Sequence, residues 1–157
     1  MKNLLGMKQI ILQKFISRQN LKDNPEKLYI FGDNDSRVGS GGQAREMRGE
    51  PNAVGIRTKK APKTNAIVYY NDNELFENII KISEDFLKVY KHLLDGKIVI
   101  IPSDGIGTGL AKLEENAPNT LKYIDNIITV LIEKFNAKER GLYGTPVLRT
   151  QRRREII

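Results

Sequence analysis

The sequence predicts an α/β fold, with strands and helices alternating in layers, on three observations. Ile98-Val99-Ile100-Ile101 is a continuous β-branched run, the pattern of a strand covered on both faces, as in a parallel sheet between helices. Two long segments on either side of it carry apolar residues at three- and four-residue spacing, the period of a helix with one buried face. The two strongest strand signals each run into a glycine-rich loop and then a helical segment, which is the strand–loop–helix rhythm of α/β proteins.

Taken in order, Ile10, Ile11 and Leu12 begin a first strand, followed by a short helical turn over 17–21. Leu28, Tyr29, Ile30 and Phe31 form a compact apolar run that stops on Gly32, Asp33 and Asn34, as a buried strand does when it delivers its carboxyl end to a loop. Residues 43–47 read as a short helix, and 53–56 and 66–70 as two further strands. Asp72 is a suitable N-cap for the amphipathic segment after it, in which Phe76, Ile79, Ile80, Ile82, Phe86, Leu87, Val89, Tyr90 and Leu93 mark the buried face. Gly96 ends that helix and Lys97 leads into the central strand. Leu121, Ile124, Ile127, Ile128, Leu131, Ile132 and Phe135 mark a second long helix.

Composition narrows the function. A chain of 157 residues, 39% hydrophobic and 29% charged, fits one soluble globular domain with a real core. Without cysteine there are no disulfides, thiolate nucleophiles or thiolate metal sites, and His92 alone supports neither a catalytic triad nor a multi-histidine metal centre. No metal or cofactor is therefore expected. No apolar run approaches the ~20 residues that span a bilayer, and the lysine-interrupted N-terminus does not read as a signal peptide, so a cytoplasmic protein without membrane contact is expected. Residues 138–157 supply +4 of the formal charge of +7, so the basicity belongs mostly to a tail. The division expected is one domain over 1–140 and a basic tail over 141–157.

The chemistry lies in two loops at strand carboxyl ends, where open α/β sheets bind ligands. The first contains Gly32, Asp33, Asn34, Gly39, Gly41, Gly42 and Gln43; the second contains Ser103, Asp104, Gly105, Ile106, Gly107, Thr108, Gly109 and Leu110. Glycines let a ligand approach the main chain, and successive N–H groups in such turns form anion-binding concavities, helped by a following helix N-terminus. The plainer alternative is that they only make tight turns. Neither loop matches G-x-x-x-x-G-K-[ST] or G-x-G-x-x-G, which disfavours a conventional NTPase or dehydrogenase.

Three segments resemble macro domains, the α/β modules that bind ADP-ribose, and in detail their smaller deacylase-like branch. These are Asn34 with the following glycines and Gln43-Ala44; Ile56-Arg57-Thr58-Lys59-Lys60; and Ile101-Pro102 followed by Gly105-Ile106-Gly107-Thr108-Gly109-Leu110. The continuation Gln43-Ala44-Arg45-Glu46-Met47-Arg48-Gly49 is less typical and marks a divergent member. The resemblance implies a single macro-domain-like layered fold with a mixed central sheet flanked by helices. It implies that the second loop donates N–H groups to the phosphates of ADP-ribose or a related nucleotide, and that Asn34 faces the distal ribose. It leaves open two activities, a non-catalytic binder and an ADP-ribosyl hydrolase acting on modified protein or nucleic acid, the latter with Lys59 as nucleophile and Asn34 orienting the ribose.

The acids of such hydrolases are replaced here, by Ala111 in the second loop and Ala44 after the first, leaving Asp33, Asp35, Glu46 and Asp104 as substitutes. Lys59 equally reads as a solvated lysine at a strand end, His92 as a residue favoured by its helix dipole, Tyr69 and Tyr70 as core and rim, and Asp104 as a loop brace. The rival function is a nucleic-acid-associated protein whose arginine-rich tail contacts phosphate backbone.

Overall fold

The computed structural model describes residues 8–136, so the expected basic tail lies outside the described residues. The chain runs β1 (Ile10–Gln13), α1 (Arg18–Asp23), β2 (Leu28–Asn34), α2 (Ala44–Met47), β3 (Ala53–Lys59), α3 (Leu75–Leu94), β4 (Val99–Pro102), α4 (Leu113–Asn116) and α5 (Pro118–Phe135). Helix α1 starts on a capping box: the Asn20 N–H donates to Ser17 Oγ, and the Ser17 N–H donates back to the Asn20 side chain.

The four strands form one sheet in the order β1-β4-β2-β3, and every neighbouring pair is parallel. The expected mixed sheet is thus corrected for the described residues. The difference lies in 66–70, expected as a strand. Its first part is a 3-10 turn, Ala66–Val68, and only Tyr69 pairs, in an isolated antiparallel bridge to Lys59. Val68 and Tyr70 are buried while Ile67 is 80% exposed, and the turn delivers them to the core without a ladder.

Both faces of the sheet are covered, as the β-branched run requires. Leu28, Ile30, Val99 and Ile101 join the larger core with Ile82, Phe86, Val89, Ile124 and Ile128 of α3 and α5. Tyr29, Phe31 and Ile100 point the other way, to Leu21, Ala44 and Met47 of α1 and α2. The buried face of α3 is narrower than its apolar pattern suggested: Phe76 (74%), Ile80 (44%) and Leu87 (51%) are exposed, and Asn78 and Asp85 are buried instead. No helix among the described residues is long and apolar enough to cross a membrane.

Asp72 caps a different helix from the one expected. Its carboxylate accepts from the N–H groups of Asn119 (2.9 Å) and Thr120 (3.2 Å) in the first turn of α5, whereas Glu74 holds the N-cap position of α3. Side chains also occupy both sheet edges. On β1, Asn136 Oδ1 accepts from the N–H groups of Gln9 and Ile10 (both 3.0 Å), and its Nδ2 donates to the Ile10 carbonyl. On β3, the Arg57 N–H donates to Asp85 Oδ2 (2.7 Å) and Arg37 donates to the Gly55 carbonyl (2.8 Å).

Candidate functional site

Strands β2 and β4 are neighbours, and the first loop leads from β2 into α2 on one face of the sheet while the second leads from β4 into α4 and α5 on the other. Loops leaving the carboxyl ends of such a pair diverge and open a crevice, which is where open α/β sheets take ligands. A cavity of about 700 Å³ lies between these two loops, within the size range of small-molecule sites.

Most of the sequence-predicted residues line it. Gly32, Asp33, Asn34, Gly39, Gly41, Gly42 and Gln43 come from the first loop; Asp104, Gly105, Gly107, Thr108, Gly109 and Leu110 from the second; Lys59 closes the wall between them. Two predicted residues are not part of the lining. Ile106 is fully buried in the core beneath the second loop, and Ser103, an exposed residue, donates its N–H to Gln13 at the end of β1. Two glycines are required by close approach. A Cβ at Gly39 (φ +106°) would stand 2.7 Å from Pro62 Cβ, and one at Gly107 (φ +87°) 2.4 Å from Leu113 Cδ1.

Asn34 and Lys59 are brought together by a bulge. Asp33 pairs with Arg57, but the next residue, Asn34, pairs with Lys59, leaving Thr58 as the extra residue of β3. Thr58 fills the irregularity by donating its hydroxyl to the Asp33 carbonyl (3.1 Å). Both partners are buried, Asn34 to 5% exposure and Lys59 to 7%. Asn34 Nδ2 donates to the Val38 carbonyl (2.7 Å), while its Oδ1 is buried without a hydrogen-bond partner. An orphaned acceptor in a cavity wall is costly unless a ligand donates to it.

Around that acceptor the main chain offers donors. Among the described residues, no carbonyl or side chain accepts the N–H groups of residues 38–43 or of 107–111, all of which line the cavity. The loops hold their shape through other atoms: Gly105 N–H to the Pro102 carbonyl, Leu113 N–H to the Gly107 carbonyl, and Thr108 Oγ1 to the Asp104 carbonyl. Helices α2 and α4 have only four residues each, so the donors here are loop amides and not the end of a long helix.

The four alternative acids separate. Asp33 is buried and neutralised by Arg48 (2.6 Å) and Arg37 (3.1 Å). Asp35 accepts from the Tyr70 hydroxyl and from Lys81 (2.8 Å), and burial together with Asp35 holds that phenol protonated. Neither Asp35 nor Glu46 lines the cavity, whereas Asp104 does, and its carboxylate has no partner among the described residues. Lys59 donates to the Lys63 carbonyl (2.9 Å), stands 5.8 Å from the Tyr69 ring centre and has no carboxylate in ion-pair reach among the described residues. Its burial lowers its pKa below the ordinary lysine value. His92 lies elsewhere, bonded to the Ile98 carbonyl (3.0 Å), and burial lowers its pKa more than its hydrogen bond raises it.

Val38, Ser40, Ala44, Arg48, Thr58, Pro62 and Ala111 also line the cavity and were not predicted as site residues. Ala44 and Ala111, which stand where the resembling hydrolases carry acids, are the small residues at which the two loops end. Arg48 had one sequence signal, its place in the atypical continuation of the first loop. A second hollow of about 330 Å³, behind Asp33 and Arg48, is lined by the charge-balanced Arg37, Asp85, Glu84 and Lys88.

Comparison with curated proteins and with solved structures gives no match. One family model, described as a family of unknown function (DUF7831), matches residues 11–127, a span that begins in β1, contains both loops and ends within α5. The chain belongs to this family.

Proposed function

We propose that the protein is a macro-domain-like receptor that binds ADP-ribose, or a related ADP-ribose-containing nucleotide, between its two glycine-rich loops. The observation that carries this reading is the buried, unpartnered Oδ1 of Asn34 set between two rows of unengaged backbone N–H groups. An acceptor needs a hydroxyl or amine donor, which a phosphate at neutral pH does not offer. The N–H rows need an acceptor, which a phosphate offers several times over. A ligand that satisfies both carries sugar hydroxyls beside an anion. Among the described residues, the only side-chain charges on the lining without an ion-pair partner are Lys59 and Asp104, so most anion recognition falls to the main chain. The resemblance of both loops to those of macro domains narrows the sugar phosphate to ADP-ribose.

Hydrolysis of ADP-ribosyl linkages is the second reading, favoured by Lys59. Burial lowers the Lys59 pKa below the ordinary lysine value, and no carboxylate among the described residues opposes that shift, which is the direction a nucleophilic amine needs. Thermal melting against ADP-ribose, AMP and NAD tests binding: ADP-ribose at a hundredfold excess over its Kd adds ~2.7 kcal/mol of stability. Equal shifts from AMP and ADP-ribose, or none from either, refute the reading. Single-turnover release of ADP-ribose from modified glutamate and modified DNA, abolished by Lys59→Ala with binding retained, separates hydrolase from receptor.

A further inference from the structure

We propose that Arg48 is the positioning residue that fixes which way the Asn34 amide faces the ligand. A primary amide has two nearly isosteric faces, and a half-turn exchanges its acceptor for a donor. In this site the choice is made by a closed ring of four hydrogen bonds. The Asn34 N–H donates to Asp33 Oδ1 (2.8 Å), and Arg48 Nη2 donates to that same oxygen (2.6 Å). Arg48 Nη2 also donates to the Val38 carbonyl (3.3 Å), the oxygen to which Asn34 Nδ2 donates (2.7 Å). One guanidinium nitrogen therefore touches both acceptors that hold Asn34, one at its backbone and one at its side chain.

The remaining contacts of Arg48 keep that nitrogen in place. Its Nε donates to the Gly39 carbonyl (2.8 Å), and the guanidinium lies over the Phe31 ring at 5.5 Å. Asp33 is fixed from behind by Arg37, which reaches Asp33 Oδ2 (3.1 Å) and Asp85 (2.6 Å). Turning the Asn34 amide over would set Oδ1 against the Val38 carbonyl, acceptor against acceptor, as long as Arg48 holds that carbonyl where it is. The side chain then keeps Oδ1 unpartnered, an acceptor that admits a ligand hydroxyl and repels an anion. Lysine would keep the charge beside Asp33 but lacks the planar fork that reaches Asp33, Val38 and Gly39 together.

This inference rests on the proposed ADP-ribose site, and its test separates the two. ADP-ribose affinity is measured by calorimetry on the full chain for Arg48→Lys and Arg48→Met, each alone and combined with Asn34→Ala. Acting through Asn34, each single variant weakens binding roughly tenfold, and the loss falls below about twofold in the Asn34→Ala background, the signature of coupled residues. Equal losses in both backgrounds overturn the proposal. Independently of any ligand, exchange of the Asn34 side-chain amide protons is read by NMR. Wild type protects one of them and Arg48→Lys does not; unchanged protection in Arg48→Lys overturns the proposal. Loss of protection in a protein that never binds ADP-ribose upholds the ring and refutes the ligand.

Discussion

Two glycines two residues apart in the second loop respond to substitution in opposite ways. A Cβ at Gly109 meets nothing within 4 Å, and the residue is exposed. At Gly107 the backbone lies at φ +87° and a Cβ would stand 2.4 Å from Leu113 Cδ1, a side chain with no exposed surface. Gly109→Glu thus leaves the fold nearly untouched, within about 0.5 kcal/mol, and sets a carboxylate among the loop amides that the proposed function assigns to a phosphate. Loss of one charge-assisted bond and the added repulsion weaken ADP-ribose binding by about 2 kcal/mol, roughly thirtyfold. Gly107→Ala adds the cost of a left-handed alanine to overpacking of the core, about 3 kcal/mol together, or a fall in Tm of roughly 10 °C. Thermal melting with calorimetric titration of both variants checks the pair. Wild-type affinity in Gly109→Glu removes the diphosphate from this loop, and a wild-type Tm in Gly107→Ala contradicts the packing of Gly107 on Leu113.

Three further outcomes follow from side chains already placed. Asp72→Ala removes the cap on α5 and lowers stability by about 1 kcal/mol, read as a Tm fall of about 3 °C; no change would mean that water caps the helix equally well. Burial and the neighbouring Glu114 push Asp125 up to about 6, so its protonated form is the one the fold favours. Stability from that group is complete below about pH 4 and declines as the pH rises through 6, so Asp125→Asn raises stability at pH 7 by about 1 kcal/mol after screening at a half-buried site, read as a higher Tm, and has no effect at pH 3.5. Lys59 is the opposite sign: its charged form is disfavoured by burial, so neutral pH lies below the range in which the folded state gains from it. Lys59→Met therefore melts higher than wild type at pH 7, and a lower Tm would show that its bond to the Lys63 carbonyl outweighs desolvation.

The sequence made the layered α/β pattern legible because burial on both faces leaves a local mark. The run at 98–101 and the spacing within α3 and α5 each report an environment through neighbouring residues. It made the two loops legible because glycine is required where the backbone turns or is closely approached, as at Gly39 and Gly107. Contacts set by distant parts of the chain left no such mark. Asp72 sits just before α3 in sequence yet caps a helix whose first turn is 47 residues away. The bulge at Thr58 that aligns Asn34 with Lys59 depends on β2 and β3 together. Phe76, Ile80 and Leu87 fit the helical period but fall outside the strip that the sheet and α5 cover. Arg48 is one basic residue among many until the Asp33 carboxylate and the Val38 carbonyl are placed beside it.

The side chains on the two outer strands decide how the sheet meets other chains. A parallel sheet normally ends in two rows of open amides and carbonyls that template strand addition. Here Asn136 imitates a neighbouring strand against Ile10, and Asp85 with Arg37 does so against Arg57 and Gly55. An incoming strand from a second copy must first displace these groups, so edge-to-edge oligomerisation meets a barrier at both ends. The Asn136 bond also ties the last turn of α5 to the first strand, so neither end of the described domain opens without loosening the other. The Ile10 amide, though on an outer strand, then exchanges its hydrogen with solvent through a wide cooperative opening and not through local fraying.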